Sequence, residues 1–348
     1  MRDDIVRDMR VSSKLVRDRQ EASPVYETPS PLLLSRVAEA AYWAGRYLER
    51  AEGTARLIKT HADLVVDLPS VATVGWFPLL AVMGVGDDVA GKLIKGTNTE
   101  EAVLAYLTAS KTNQSSVRSS VAAVHTNLRL TRSVMPVEAA EVLIELHREV
   151  DSTAGSAVAR QTRDAWLVSV IRGCQTLTGI LSETMSHDDA YGFLTVGRQI
   201  ERADMVSRVL DVQGWALTSQ SSGEVRPYAD LRWAAALRSV SALQAFRRRG
   251  VPNTPAATLT FLLRDVRCPR TIEACLVEIS RWLLEIPRHE AAMSMCAELE
   301  LLLSDVEIDD LVAGELHDFV DVIQQGLSKV HDAIEATWFD SARSQAVG

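Results

Sequence analysis

The chain has 348 residues, 47% hydrophobic and 24% charged, the make-up of a globular protein that can bury a substantial core as one large domain or two. A formal net charge of -9 argues against a nucleic-acid binder dominated by phosphate contacts, and no apolar run approaches the ~20 residues of a membrane helix. Met1–Gln20 lacks the apolar centre of a secretion signal, and Cys174, Cys268, Cys275 and Cys296 form no Cys-x-x-Cys pair, so a reducing cytoplasm is expected.

Residues 1–30 read as a mobile, mixed-charge extension, followed by a helical domain over 31–345. Val37, Ala41, Ala44, Leu48, Ala51, Ala55, Ile58, Ala62 and Val65 alternate spacings of four and three. That spacing predicts a long helix whose Ala-rich stripe admits a close neighbour, ending at Pro69 and Gly75. A short apolar segment over Trp76–Met83 and a Gly/Asp loop lead to a helix near Glu100–Ser110. Ser115–Ser133 and Val137–Val150 read as helices divided at Pro136. Ala157–Met185 and Asp188–Leu217 form a second long pair, with Asp188 or Asp189 as the cap of the latter. The polar stretch 218–227 is the best internal linker and would join two halves. Helices near Tyr228–Arg248, Pro269–Glu285, Arg288–Ser304 and Asp309–Ala342 follow, with Pro252–Pro255 as punctuation. No series of short alternating strands occurs, so the chain reads as all-α, a large helical bundle.

One helix occurs twice. With Gly45 aligned on Gly197, Arg46 meets Arg198, Leu48 meets Ile200, Glu49 meets Glu201 and Arg50 meets Arg202. Ala51 then meets Ala203, Glu52 meets Asp204 and Arg56 meets Arg208. The repeat, Gly-Arg-x-[Leu/Ile]-Glu-Arg-Ala-acid, implies an internal duplication with the two helices related by an approximate two-fold axis. At about 100° per residue, Gly45, Glu49, Glu52 and Arg56 share a strip beside the apolar stripe, with Arg46 and Arg50 farther round. A mid-helix glycine costs roughly 1 kcal/mol relative to alanine, so Gly45 and Gly197 imply close approach by a backbone or a ligand.

Three roles for the strips remain open. In the first they form a structural charge network, with Glu52–Arg56 paired at i,i+4 and Arg46 reaching Glu49 at i,i+3. In the second they line a shared cleft where Arg46, Arg50, Arg198 and Arg202 hold an anionic ligand, planar guanidinium donors being suited to carboxylate or phosphate. In the third Glu49, Glu52, Glu201 and Asp204 would ligate metals in a bundle. The Glu-x-x-His spacing of ferritin-like centres is missing throughout, so no metal or other cofactor is expected.

Leu34–Glu52, with its Gly-Arg-Tyr-Leu-Glu-Arg-Ala-Glu end, closely resembles the opening of the bacterial alpha-E domain family. The family's second signature is similar to Asp188–Asp204 and a third to Phe261–Ile272, so the likeness spans roughly residues 32 to 340. Where the family carries an Ala-Arg-Glu-Asn-x-Arg run, this chain has Val124–Arg129: Asn127 and Arg129 fit, whereas His125 and Thr126 depart. The resemblance implies an all-helical fold and two partners, a circularly permuted ATP-grasp ligase-like protein and a transglutaminase-like protein. The function it implies is an accessory role in making or modifying a peptide or amide-linked molecule. Two alternatives stand beside it: an enzyme using Glu49 or Glu201 as acid/base with the arginines as an anion clamp, and a helical scaffold. Elsewhere His187, Arg247–Arg249 and the Trp43/Tyr47 pair have packing or capping roles as their simplest readings.

Overall fold

The computed structural model describes residues 35–68, 75–95, 99–218 and 228–339, the side chains of residues 94 and 213–218 excepted. The extension expected over 1–30, and all but Thr218 of the linker near 218–227, lie outside those residues. Among the described residues there is no strand and no helix long and apolar enough to cross a membrane.

Two long helices form the centre. α1 (Ser35–Asp67) buries its Ala-rich stripe, including Ala41, Ala44, Leu48, Ala51, Ala55 and Ile58. The next elements are α2 (Phe77–Val82), α3 (Asp87–Ile94), α4 (Thr99–Thr108), α5 (Val117–Leu130) and α6 (Val137–Thr153). A short 3₁₀ turn at Ala154–Ala157 leads into α7 (Arg160–Thr184), and α8 (Asp189–Thr218) is the second central helix. Asp188 caps it, Oδ1 accepting from the amides of Ala190 and Tyr191 at 3.0 and 3.4 Å. After α8 come α9 (Ala229–Ser239), α10 (Leu243–Arg247), α11 (Pro255–Arg264), α12 (Ile272–Glu285), α13 (Glu290–Asp305) and α14 (Leu316–Ile334).

α1 packs along α8, and the register of their contacts sets their sense. Tyr42 lies against Gly197 and Gly53 against Met205, while Glu49 bonds Arg202, so the two helices run in the same direction. α5 and α7 cover the other side of α1, with α6 backing both. α12 and α14 cover α8, with α13 packed on both. α9 touches both central helices, so elements on either side of 219–227 share one core.

Local chemistry moved several boundaries away from the sequence expectation. The Gly/Asp loop contains α3, whose first turn carries Asp87 and Asp88, where carboxylates favour the exposed amides. The single helix expected over Tyr228–Arg248 breaks because Ser241 adopts φ 61°, separating α9 from α10. Pro252–Pro255 is not only punctuation: Pro255 opens α11, and the Thr254 hydroxyl accepts from Ala257 N. α12 starts at Ile272 rather than Pro269, because Asp265 Oδ1 draws the amides of Arg267 and Cys268 into a turn. Thr271 then supplies the cap by accepting from Ala274 N. The last expected helix bends at Gly314, whose φ of 142° only glycine adopts without strain.

Candidate functional site

The site expected from sequence lies at the α1–α8 contact. Gly45 and Gly197 let the backbones meet there. A Cβ on Gly45 would stand 2.0 Å from the Leu194 carbonyl oxygen, and one on Gly197 would stand 2.1 Å from that of Tyr42. The two contacts are reciprocal, since Tyr42 and Leu194 correspond in the same alignment that equates the glycines. It is backbone, not a ligand, that excludes a side chain at both positions.

The charges exchange across the same contact. Arg50 donates from Nε and Nη2 to Glu201 at 2.5 and 2.8 Å, and Arg202 donates from Nε and Nη2 to Glu49 at 2.9 and 2.6 Å. Each Glu-Arg dipeptide therefore neutralises the other, in side-on two-point geometry that suits guanidinium to carboxylate. Outside the exchange, Glu52 pairs with Arg56 and Asp204 with Arg208, the latter at 2.8 Å.

Arg46 departs from expectation. Its Nε donates to Glu201 at 2.8 Å instead of reaching Glu49 within its own helix. The α8 carboxylate already lies within reach, and Glu49 is engaged by Arg202 and by Arg270, whose Nη1 donates at 2.6 Å. Arg270 also contacts Glu52 at 3.3 Å, and Gln175 of α7 donates to the same oxygen. Arg202 Nη1 donates further to the Pro269 carbonyl at 3.1 Å. Arg270 was missed as a site residue because nothing local to the Cys268–Thr271 segment indicates where it folds. The only available signal was its place in the third resemblance segment.

Burial and charge compete at these acids. Burial by itself would raise the Glu49 pKa, but the charges of Arg202 and Arg270 and the Arg202 hydrogen bonds outweigh it and hold it at about 2. Glu201 is likewise held below the ordinary carboxylate range, burial being overcome by Arg50 and Arg46. Both acids are nearly sealed, 4% and 2% exposed, which leaves no face for a substrate. The cavity bounded by Glu49, Arg56, Arg202 and Arg270 has a volume of about 20 Å³, the space of a single water.

Arg198 alone among the repeated arginines makes no hydrogen bond or ion pair among the described residues. Its Nε is sealed from solvent without an acceptor, and burial followed by the Arg202 charge pushes its pKa below the ordinary guanidinium value.

The remaining candidates do not join this network. Asn127 donates to Ala123 O of its own helix, and Arg129 is exposed on α5. His125 stacks on His147 at a ring separation of 4.5 Å. His187 stacks on Tyr191 at 4.1 Å and contacts the Ser182 carbonyl, leaving the cap to Asp188. Arg249 pairs with Asp265, while Arg247 and Arg248 stay exposed. Trp43 and Tyr47 pack together at 5.7 Å, and the Arg46 and Arg50 guanidinium groups lie over their respective rings.

Each of the four carboxylates considered as metal ligands is occupied by an arginine. The ligand atoms of His331, Asp332 and Glu335 lie within 4.8 Å of one another, a spacing compatible with a metal. The Tyr42 hydroxyl accepts from Arg46 Nη1 and lies 2.9 Å from His331 Nδ1, so that ring nitrogen is already hydrogen-bonded to the phenol. All four cysteines are free and buried, and burial raises the thiol pKa, to about 12 for Cys275 and Cys296, so none is an activated nucleophile.

Three curated relatives share 24% identity with this chain over 334 residues: one from Mycobacterium bovis and two from strains of Mycobacterium tuberculosis, each named only as an uncharacterised protein. The match covers 87% of this chain but 36% of each relative, so the chain spans about a third of the length of the curated relatives it matches. No solved structure matches. The Alpha-E family model, described as a predicted alpha-helical domain with a conserved ER motif, matches residues 33–339. Glu49-Arg50 and Glu201-Arg202, the two Glu-Arg dipeptides that neutralise each other at the centre of the bundle, lie within that match, and the chain belongs to the Alpha-E family.

Proposed function

We propose that this chain is a non-catalytic helical partner of an ATP-grasp ligase-like protein in peptide or amide-bond biosynthesis or modification. In this reading it docks the ligase or the anionic end of its peptide substrate, with a transglutaminase-like protein as a further partner. The observation that carries the non-catalytic half is the closed exchange of charge between α1 and α8. An acid/base residue must gain and lose a proton near the working pH, whereas Glu49 is held at about 2 and both acids are sealed by guanidinium groups. The partner half is supported by the family resemblance and by the length of the mycobacterial relatives, in which this region is 36% of a larger chain. A region joined to much more polypeptide in its relatives suits an accessory role.

The decisive measurement is co-purification with a circularly permuted ATP-grasp protein, followed by assay of each alone and of the pair for ATP-dependent amide formation. The expected result is a stable complex, activity in the pair, and no turnover by this chain alone. Turnover by the isolated chain that is lost in Glu49→Gln or Glu201→Gln, with helical content retained, would restore the enzyme reading.

A further inference from the structure

The repeated arginines present a common edge. Arg50 and Arg202 each give Nε and Nη2 to the two oxygens of a carboxylate, and Arg46 gives Nε to Glu201. Arg198 corresponds to Arg46, and its Nε edge meets no acceptor although that atom is sealed. The acid that would match it is Glu49, but Arg202 and Arg270 occupy both of that carboxylate's oxygens. Arg270 enters from the turn before α12 and takes the place in the ion-pair scheme that Arg46 holds at Glu201.

The local charge is out of balance as a result. Arg46, Arg50, Arg56, Arg198, Arg202 and Arg270 surround Glu49, Glu52 and Glu201, six guanidinium groups against three carboxylates. An uncompensated charge in a poorly solvated place is costly, and an oxyanion offsets it with charge-assisted hydrogen bonds. Arg198 as a whole is half-buried, so part of the residue meets solvent although its Nε is covered. Tyr191 lies on the same helix two turns before Arg198 and is buried, which limits competition from bulk water.

We propose that Arg198, with the Arg270 charge in range, anchors the oxyanion group, carboxylate or phosphate, of a small ligand. The inference deepens the partner reading by naming the chemistry of the substrate end that would be held, and rests on that reading only for its biological role.

The test is calorimetric titration of the full chain at low ionic strength with inorganic phosphate and, separately, with glutarate, followed by thermal unfolding in each. Saturable binding of either anion with a Kd at or below ~1 mM and a concentration-dependent rise in Tm is the expected result. Preference for phosphate would assign a phosphoryl ligand, and preference for glutarate a carboxylate one. Arg198→Gln should weaken binding at least about tenfold, while Arg129→Gln, on the exposed part of α5, should leave it unchanged. Should the glutamine variant lose its helical circular dichroism, Arg198→Lys keeps the charge without the planar edge and should bind about tenfold more weakly. Absence of saturable binding by both anions, or wild-type affinity in the folded Arg198 variants, overturns the proposal. Complex formation with the ligase is read out independently, so that failure would leave the partner reading standing.

Discussion

At Gly45 the Cα faces the backbone of α8, so the smallest added side chain meets a carbonyl group, which cannot rotate aside. Gly45→Ala should force the central helices apart and cost more than about 3 kcal/mol, a value typical of severe overpacking. Gly179 of α7 supplies the contrast, because a Cβ there meets nothing within 4 Å. Gly179→Ala should raise stability by about 0.5–1 kcal/mol through helix propensity and a less flexible unfolded chain. Urea unfolding of both variants separates the effects. Both glycines look alike in sequence as helix-interior residues; only the opposing backbone distinguishes them.

His61 makes a different kind of residue-scale statement. Its ring is buried, Nε2 has no partner, and burial pulls its pKa from the ordinary 6.5 to about 4. The folded state therefore binds fewer protons than the unfolded state between those values. The stabilising effect is full above the unfolded pKa and is lost as pH falls through that window. Between pH 7 and pH 5 this group should remove about 2 kcal/mol of stability. Chemical denaturation at the two pH values should show His61→Gln lacking that part of the pH dependence; an unchanged difference would mean that His61 is hydrated in solution.

At the scale of elements, the parallel pair α1 and α8 was expected as two similar helices, and their facing glycines point to close contact. The reach of Arg46 was not legible. An i,i+3 partner in its own helix and a partner on another helix are both sterically open to a long flexible side chain, and the second prevails here. Caps were more readable where a carboxylate or hydroxyl precedes a helical pattern, as at Asp188. Breaks at Ser241 and Gly314 were missed because apolar spacing carries across a single residue of unusual φ. The start of α12 illustrates the same limit, since Pro269 looks like a helix opener while Asp265 and Thr271 arrange the turn. Thr271→Ala should cost about 1 kcal/mol by releasing the Ala274 amide, measurable as a lower urea midpoint. It should also loosen Arg270, two bonds of which hold Glu49 and Glu52.

For the molecule as a whole, the central helices depend on elements far apart in the chain. α5 and α7 cover α1, whereas α9, α12 and α14 follow the 219–227 stretch and complete the cover of α8. A fragment of residues 35–218 would expose that face of α8 and lose Arg270 from Glu49. It is expected to keep helical far-ultraviolet dichroism but lose its near-ultraviolet signal and bind a hydrophobic dye, the signature of a collapsed state without fixed packing. A cooperative unfolding transition in that fragment would show instead that the chain consists of two independent halves. Composition and helical period were enough to indicate the class, because burying an apolar stripe is a local requirement repeated along the chain.

The sequence by itself determined the all-helical class, the Ala-rich stripe of α1, the recurrence of the Glu-Arg helix and the family. Each follows from residue type and spacing within one segment. Only the tertiary structure decided that each Glu-Arg dipeptide neutralises the other, that Arg270 joins them, and that Arg198 is left without a carboxylate. The physical reason is that arginine side chains are long and carboxylate partners are chemically equivalent. Which pair forms is therefore set by how α1, α8 and the turn before α12 are placed against one another, a relation that helical spacing within one segment does not contain.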